Sequence, residues 1–178
     1  MDGTEPPDLP AIPVIDTGPD FPFETLEREE VRAHRLLDGA TRGVPSPILN
    51  ALDAMSRRWL ERWNHAQLRE IDRIALKLGR PGAYFLSVNY EWGCTTAVRA
   101  GTDGRTPQLV RVLDWRTPGL GRYIIAARVA GAAGPFVSLT WPGYTGVLQA
   151  SAKGRFAAAI NQAPMPRRGG GSYPLDWL

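Results

Sequence analysis

The hydrophobic pattern of this chain changes period at Pro81, and that change decides the fold class. Before it, apolar residues recur at helical spacing. Ile48, Leu49, Leu52, Met55, Trp59, Leu60 and Trp63 share one face of a helix that Ser46 can cap, with Pro47 at its first position. Asn64 and Gln67 have capping-box spacing for a further helix carrying Leu68, Ile71, Ala75 and Leu78, which Gly79-Arg80-Pro81-Gly82 stops. An earlier helix runs from Phe23 to Leu37, its first turns loaded with glutamates and its end set by Gly39 and Gly43. The Trp/Met stripe of residues 48–63 reads as core. Upstream, six prolines between Pro6 and Pro22 exclude regular helix, and Ala11–Ile15 is suited to lie extended on a neighbour.

After Pro81 the pattern is that of strands. Tyr84–Trp92, Cys94–Ala100, Gln108–Asp114, Tyr123–Ala130, Phe136–Trp141, Tyr144–Ala150 and Phe156–Asn161 alternate or run apolar between turn residues, with Gly101–Gly104 as a hairpin turn. Helices followed by a meander of antiparallel strands predict an α+β fold, divided at residues 1–93 and 94–178.

Charge follows the same division. Residues 1–93 hold 11 Lys/Arg against 15 Asp/Glu, and residues 94–178 hold 10 against 3. Two halves of opposite sign attract each other, and a basic half also suits anionic substrates or a membrane surface. The arginines are spread singly along strands rather than clustered with aromatics, which argues against a nucleic-acid partner. One cysteine excludes an intramolecular disulfide scaffold. No signal peptide or membrane span is visible, so the expected location is cytoplasmic.

The chemistry left open is narrow. The chain has no Gly-x-Ser-x-Gly elbow, P-loop or Rossmann glycine pattern. Its two histidines, His34 and His65, lie in the helical half and read as surface residues, so neither a metal cluster nor a Cys–His dyad is expected, and no cofactor. Cys94 follows Gly93 and opens a strand whose hairpin partner carries Arg111 and, three residues on, Asp114. A cysteine without a histidine needs another base. The chain can create one by cleaving before the cysteine, because an α-amine has an unperturbed pKa of about 7.7–8.0. A lone cysteine is also often a small buried apolar residue, which leaves a non-catalytic binding or structural module open.

Asn89-Tyr90-Glu91-Trp92-Gly93-Cys94-Thr95-Thr96, followed by Arg111-Val112-Leu113-Asp114-Trp115, resembles the acid ceramidase and N-acylethanolamine acid amidase group. More distantly it is similar to choloylglycine hydrolases and penicillin V acylases. Pro142-Gly143-Tyr144-Thr145-Gly146 resembles the Gly-Tyr strand of that family, and Ala159-Ile160-Asn161 its strand bearing an oxyanion-hole Asn. Leu68–Leu86 resembles the end of the ceramidase-type pro-segment. The likeness covers roughly residues 10–178.

The resemblance implies an N-terminal-nucleophile hydrolase with an αββα core, made as a zymogen that cuts itself between Gly93 and Cys94. Residues 1–93 would be a helical pro-segment staying with the catalytic part. Cys94 would attack the acyl carbonyl of a small-molecule N-acyl amide or lipid amide. Its freed amine would serve as base, Asp114 would orient the ammonium, Arg111 would polarise the site, and Asn161 would donate to the oxyanion. Tyr144, Trp115 and Trp141 are substrate-wall candidates. The same residues admit structural readings: an Arg111–Asp114 ion pair, Asn161 as a strand-end turn, Tyr144 in packing. The family has a further Asn, a further Arg and a second half of its core, so residues 94–178 would be part of a catalytic domain completed by a further segment or a second chain, or else a catalytically incomplete relative.

Overall fold

The computed structural model describes residues 10–88, 92–104, 106–115, 117 and 119–161; of Val88, Trp92, Gly93, Leu113, Asp114 and Trp115 it describes the backbone alone. Among these residues, five helices and two sheets make up the α+β architecture. Strand β1 (Val14–Thr17) precedes helices α1 (Phe21–Arg28), α2 (Glu30–Ala40), α3 (Ser46–Arg62), α4 (Leu68–Leu78) and α5 (Ala83–Val88). Strands β2 (Trp92–Arg99) and β3 (Gln108–Trp115) form an antiparallel hairpin. A 3-10 turn (Leu120–Tyr123) leads to β4 (Ile125–Gly131), β5 (Gly134–Thr140), β6 (Gln149–Ala152) and β7 (Phe156–Ala159).

The larger sheet has the order β1-β4-β5-β6-β7. Its last four strands are an antiparallel meander, as the pattern predicts. β1 joins it in parallel, with Val14 opposite Ala126 and Thr17 opposite Val129. The proline-rich start of the chain therefore places an extended strand on the second half, the only parallel pairing among the described strands.

Several element boundaries differ from expectation for local reasons. Pro22 lies inside α1, in the first turn, where its missing N–H is not needed. The helix expected over Phe23–Leu37 is broken at Glu29 (φ −124°), so Leu26 on α1 and Leu36 and Leu37 on α2 reach one core. Pro45 rather than Ser46 is the N-cap of α3, and Ser46 makes no capping bond. Asn64 (φ 48°) closes the α3–α4 turn instead of capping α4, a left-handed conformation that asparagine tolerates. Gly79 (φ 61°) ends α4 as predicted. The strand expected over Tyr144–Ala150 is confined to its end, because Pro142 lacks an N–H, Gly143 has φ 73°, and Tyr144 N–H turns back to the Trp141 carbonyl.

The largest correction is α5. Its aromatic and branched residues predict a strand over Tyr84–Trp92, yet residues 83–88 are helical. The cause is tertiary. The Asp53 carboxylate of α3 accepts hydrogen bonds from Gly82 N–H (2.7 Å) and Phe85 N–H (2.8 Å), capping α5 from another helix. Tyr84 Oη then donates to Asp72 Oδ1 of α4 (2.5 Å), which Arg57 of α3 grips through Nε (3.0 Å) and Nη2 (3.1 Å).

The core joins both halves of the chain. Leu26, Leu36, Leu37, Ile74, Leu78 and Leu86 from the helices pack with Leu120, Trp141, Tyr144 and Leu148 from the strand half. The α3 stripe is the exception. Its buried seam runs through Leu49, Ser56 and Leu60, so of the predicted stripe Leu49 and Leu60 are buried while Ile48 (51%), Met55 (62%) and Trp63 (46%) are exposed. Among the described residues, no helix is long and apolar enough to cross a membrane.

Candidate functional site around Cys94

The hairpin register fixes what surrounds the cysteine. Cys94 pairs with Leu113 and Thr96 with Arg111, so Cys94, Thr96 and Arg111 share one face by strand alternation. Arg111 is diagonal to Cys94, within reach of a long side chain. Its Nη2 donates to Cys94 Sγ at 3.2 Å, and the thiol is half-buried. No ion pair joins Arg111 to a described carboxylate; it is directed at the sulfur. A cationic donor stabilises negative charge on whatever accepts its hydrogen bond.

The hairpin geometry that delivers this contact is local. Asp103 accepts from both the N–H (2.8 Å) and Oγ1 (2.7 Å) of Thr106, pinning the loop. A Cβ on Gly101 would run into the Thr106 carbonyl, so the turn requires glycine there. These contacts hold the register that sets Thr96 against Arg111 rather than one residue off.

The other predicted site residues are placed as follows. Gly93 stands opposite Asp114 and Trp92 opposite Trp115 in backbone register; the Asp114 and Trp115 side chains lie outside the described residues. Asn161 is exposed just beyond β7, and makes no hydrogen bond with Cys94 or Arg111. β7 does contact β3, so its strand borders the hairpin. Tyr144 and Trp141 are buried together, with rings edge-to-face at 5.8 Å, and Trp141 Nε1 donates to the Leu120 carbonyl (3.2 Å). Burial pushes the Tyr144 phenol well above its usual range, partly offset by the nearby positive charge of Arg111. Tyr144 and Trp141 thus belong to the core shared with the helices.

Two groups escaped the sequence reading. The first comprises Asp53, Arg57, Asp72 and Tyr84, which fix the helix leading towards the Gly93–Cys94 junction. Burial raises the Asp53 carboxyl despite its backbone donors. Burial also pushes Asp72 upward, but Arg57 and Tyr84 outweigh it and hold that carboxyl below its usual range. The second is Thr96, whose Oγ1 is buried without a partner. No sequence signal marks either set, since each depends on contacts between separate elements or strands. His34 lies 3.9 Å from Glu30, and His65 Nδ1 accepts the Gln67 N–H; both are on the helical side. Among the described residues no three His, Cys, Asp or Glu side chains gather to hold a metal.

Compared with known proteins, the chain matches no protein-family model and no curated protein.

Proposed function

We propose that this chain belongs to a self-processing cysteine amidohydrolase of the N-terminal-nucleophile type, acting on N-acyl amides with a hydrophobic acyl group. The observation that carries the reading is the Arg111 guanidinium on the Cys94 sulfur at 3.2 Å. A thiol kept only to fill space has no need of a cationic donor, whereas a nucleophile gains from one. The αββα arrangement, the cleavage and the substrate class are what the resemblance of the residues around Cys94 to the acid ceramidase and N-acylethanolamine acid amidase group implies.

The reaction follows from these groups in two stages. In the uncut chain the Cys94 sulfur attacks the Gly93 carbonyl carbon. The C–N bond breaks, the nitrogen takes up a proton to become a free amine, and Gly93 is left as a thioester on sulfur. Water hydrolyses the thioester, leaving a Gly93 carboxylate and Cys94 with a free amine. In turnover that amine takes the thiol proton as sulfur attacks the substrate carbonyl, then returns it to the departing amine. Arg111 polarises the sulfur, Asp114 orients the ammonium, and Asn161 donates to the oxyanion. Removal of a single such donor costs about 2.7–4 kcal/mol in a well-formed site.

Native thiol alkylation tests the premise. Cys94 reacts with iodoacetamide in the folded chain, and Arg111→Ala slows the reaction roughly 10- to 100-fold, the equivalent of about 1.5–3 kcal/mol for a lost charge-assisted hydrogen bond. A cysteine that reacts only after unfolding, with Arg111→Ala indifferent, would make this a binding or structural module instead.

A further inference from the structure

Three buried polar side-chain atoms among the described residues lack a hydrogen-bond partner, and two of them, Thr96 Oγ1 and Arg111 Nε, stand across from each other beside Cys94. Buried donors are seldom left unpaired, because their desolvation is not returned by folding. Two on one face next to a thiol point to an oxygen that arrives with a ligand.

The guanidinium geometry says which oxygen. Nε–H and Nη2–H lie on one edge of the guanidinium plane and point the same way. In this molecule Arg57 uses that edge to hold the two oxygens of Asp72, at 3.0 and 3.1 Å. On Arg111 the Nη2 half of the edge is on Cys94 Sγ and the Nε half is unpaired. A carboxylate fills such an edge with two acceptors on one carbon. The S–C–O unit of an acylated cysteine has the same layout, with sulfur in one place and oxygen in the other.

We propose that Thr96 and the Nε–H of Arg111 form the subsite for the carbonyl oxygen of the acyl group taken up by Cys94. This rests on Cys94 acting as a nucleophile, and it adds Thr96 to the residues that touch substrate. As the S–C bond forms, the carbonyl π pair moves onto oxygen. There it accepts from Thr96 Oγ1–H and Arg111 Nε–H. Collapse expels the leaving group with its electron pair and leaves the thioester, while the thiol proton passes to solvent or the freed amine.

The test uses the full chain and two reagents. p-Nitrophenyl laurate acylates Cys94 through a carbonyl; methyl methanethiosulfonate transfers a methylthio group to the same sulfur and has no carbonyl. Transfer is followed by nitrophenolate release and intact mass, with Cys94→Ala as background. Thr96→Val slows acyl transfer roughly 10- to 100-fold, Thr96→Ser restores it to within about threefold, and the methanethiosulfonate rate changes by less than about twofold in both. Unchanged acyl transfer in Thr96→Val, or equal loss with both reagents, overturns the subsite and leaves the nucleophile standing. Failure of methanethiosulfonate to modify native wild-type Cys94 removes the nucleophile and the subsite together.

Discussion

Asp53 shows how one residue decides the conformation of a segment far from it. Its two oxygens take up Gly82 and Phe85 N–H groups that would otherwise be the unpaired first-turn donors of α5. Asp53→Ala leaves them unpaired and lowers stability by about 1–3 kcal/mol, measured by urea unfolding. The charge itself works the other way. Burial raises the Asp53 carboxyl, so the folded state prefers it protonated. That contribution is full below the ordinary carboxyl value of 3.8 and is lost as pH rises through the folded value. Asp53→Asn removes this titration, and the wild type therefore loses stability relative to Asp53→Asn as pH rises through that window. A constant difference would show that Asp53 is not desolvated.

Among the elements, α5 is held by a second device, the Arg57–Asp72–Tyr84 network linking α3, α4 and α5. The Tyr84 hydroxyl is pushed up to about 12 by burial and by its hydrogen bond to Asp72. Its stabilising contribution is present below the ordinary value of 10.0 and is lost as pH rises towards about 12. Tyr84→Phe costs about 0.5–1.5 kcal/mol near neutral pH and abolishes that alkaline loss, as followed by thermal unfolding across pH. An unchanged alkaline profile in Tyr84→Phe would contradict the assignment. These elements also mark what could be read from the sequence. The amphipathic pattern placed α4 correctly because Ile71 and Leu78 of the predicted face are buried, with Ile74 joining them. The same logic held in part for α3, where Leu49 and Leu60 of the apolar stripe are buried but Ile48, Met55 and Trp63 are exposed. It failed for residues 83–88, where a cap from another helix overrides strand propensity. At the site, Cys94 and Arg111 were legible because a hairpin converts sequence spacing into proximity. Thr96 was not, since an unpaired hydroxyl has no signature in sequence.

At the scale of the whole molecule, the Gly93–Cys94 junction does not separate two independent bodies. β1 pairs with β4, and Trp141, fully buried, packs with Tyr144 in a core shared with the helices. Trp141→Ala costs about 3–5 kcal/mol and loosens both halves in one transition, by denaturant unfolding. Under the proposed cleavage, residues 1–93 and 94–178 are expected to stay associated through these contacts. The intact mass of the purified chain, with Cys94→Ala beside it, tests the central claim most directly. The account predicts that the wild type separates under denaturing conditions into two fragments broken between Gly93 and Cys94, and that Cys94→Ala stays whole. A single uncut mass in both proteins, stable from mildly acid to neutral pH, would contradict it.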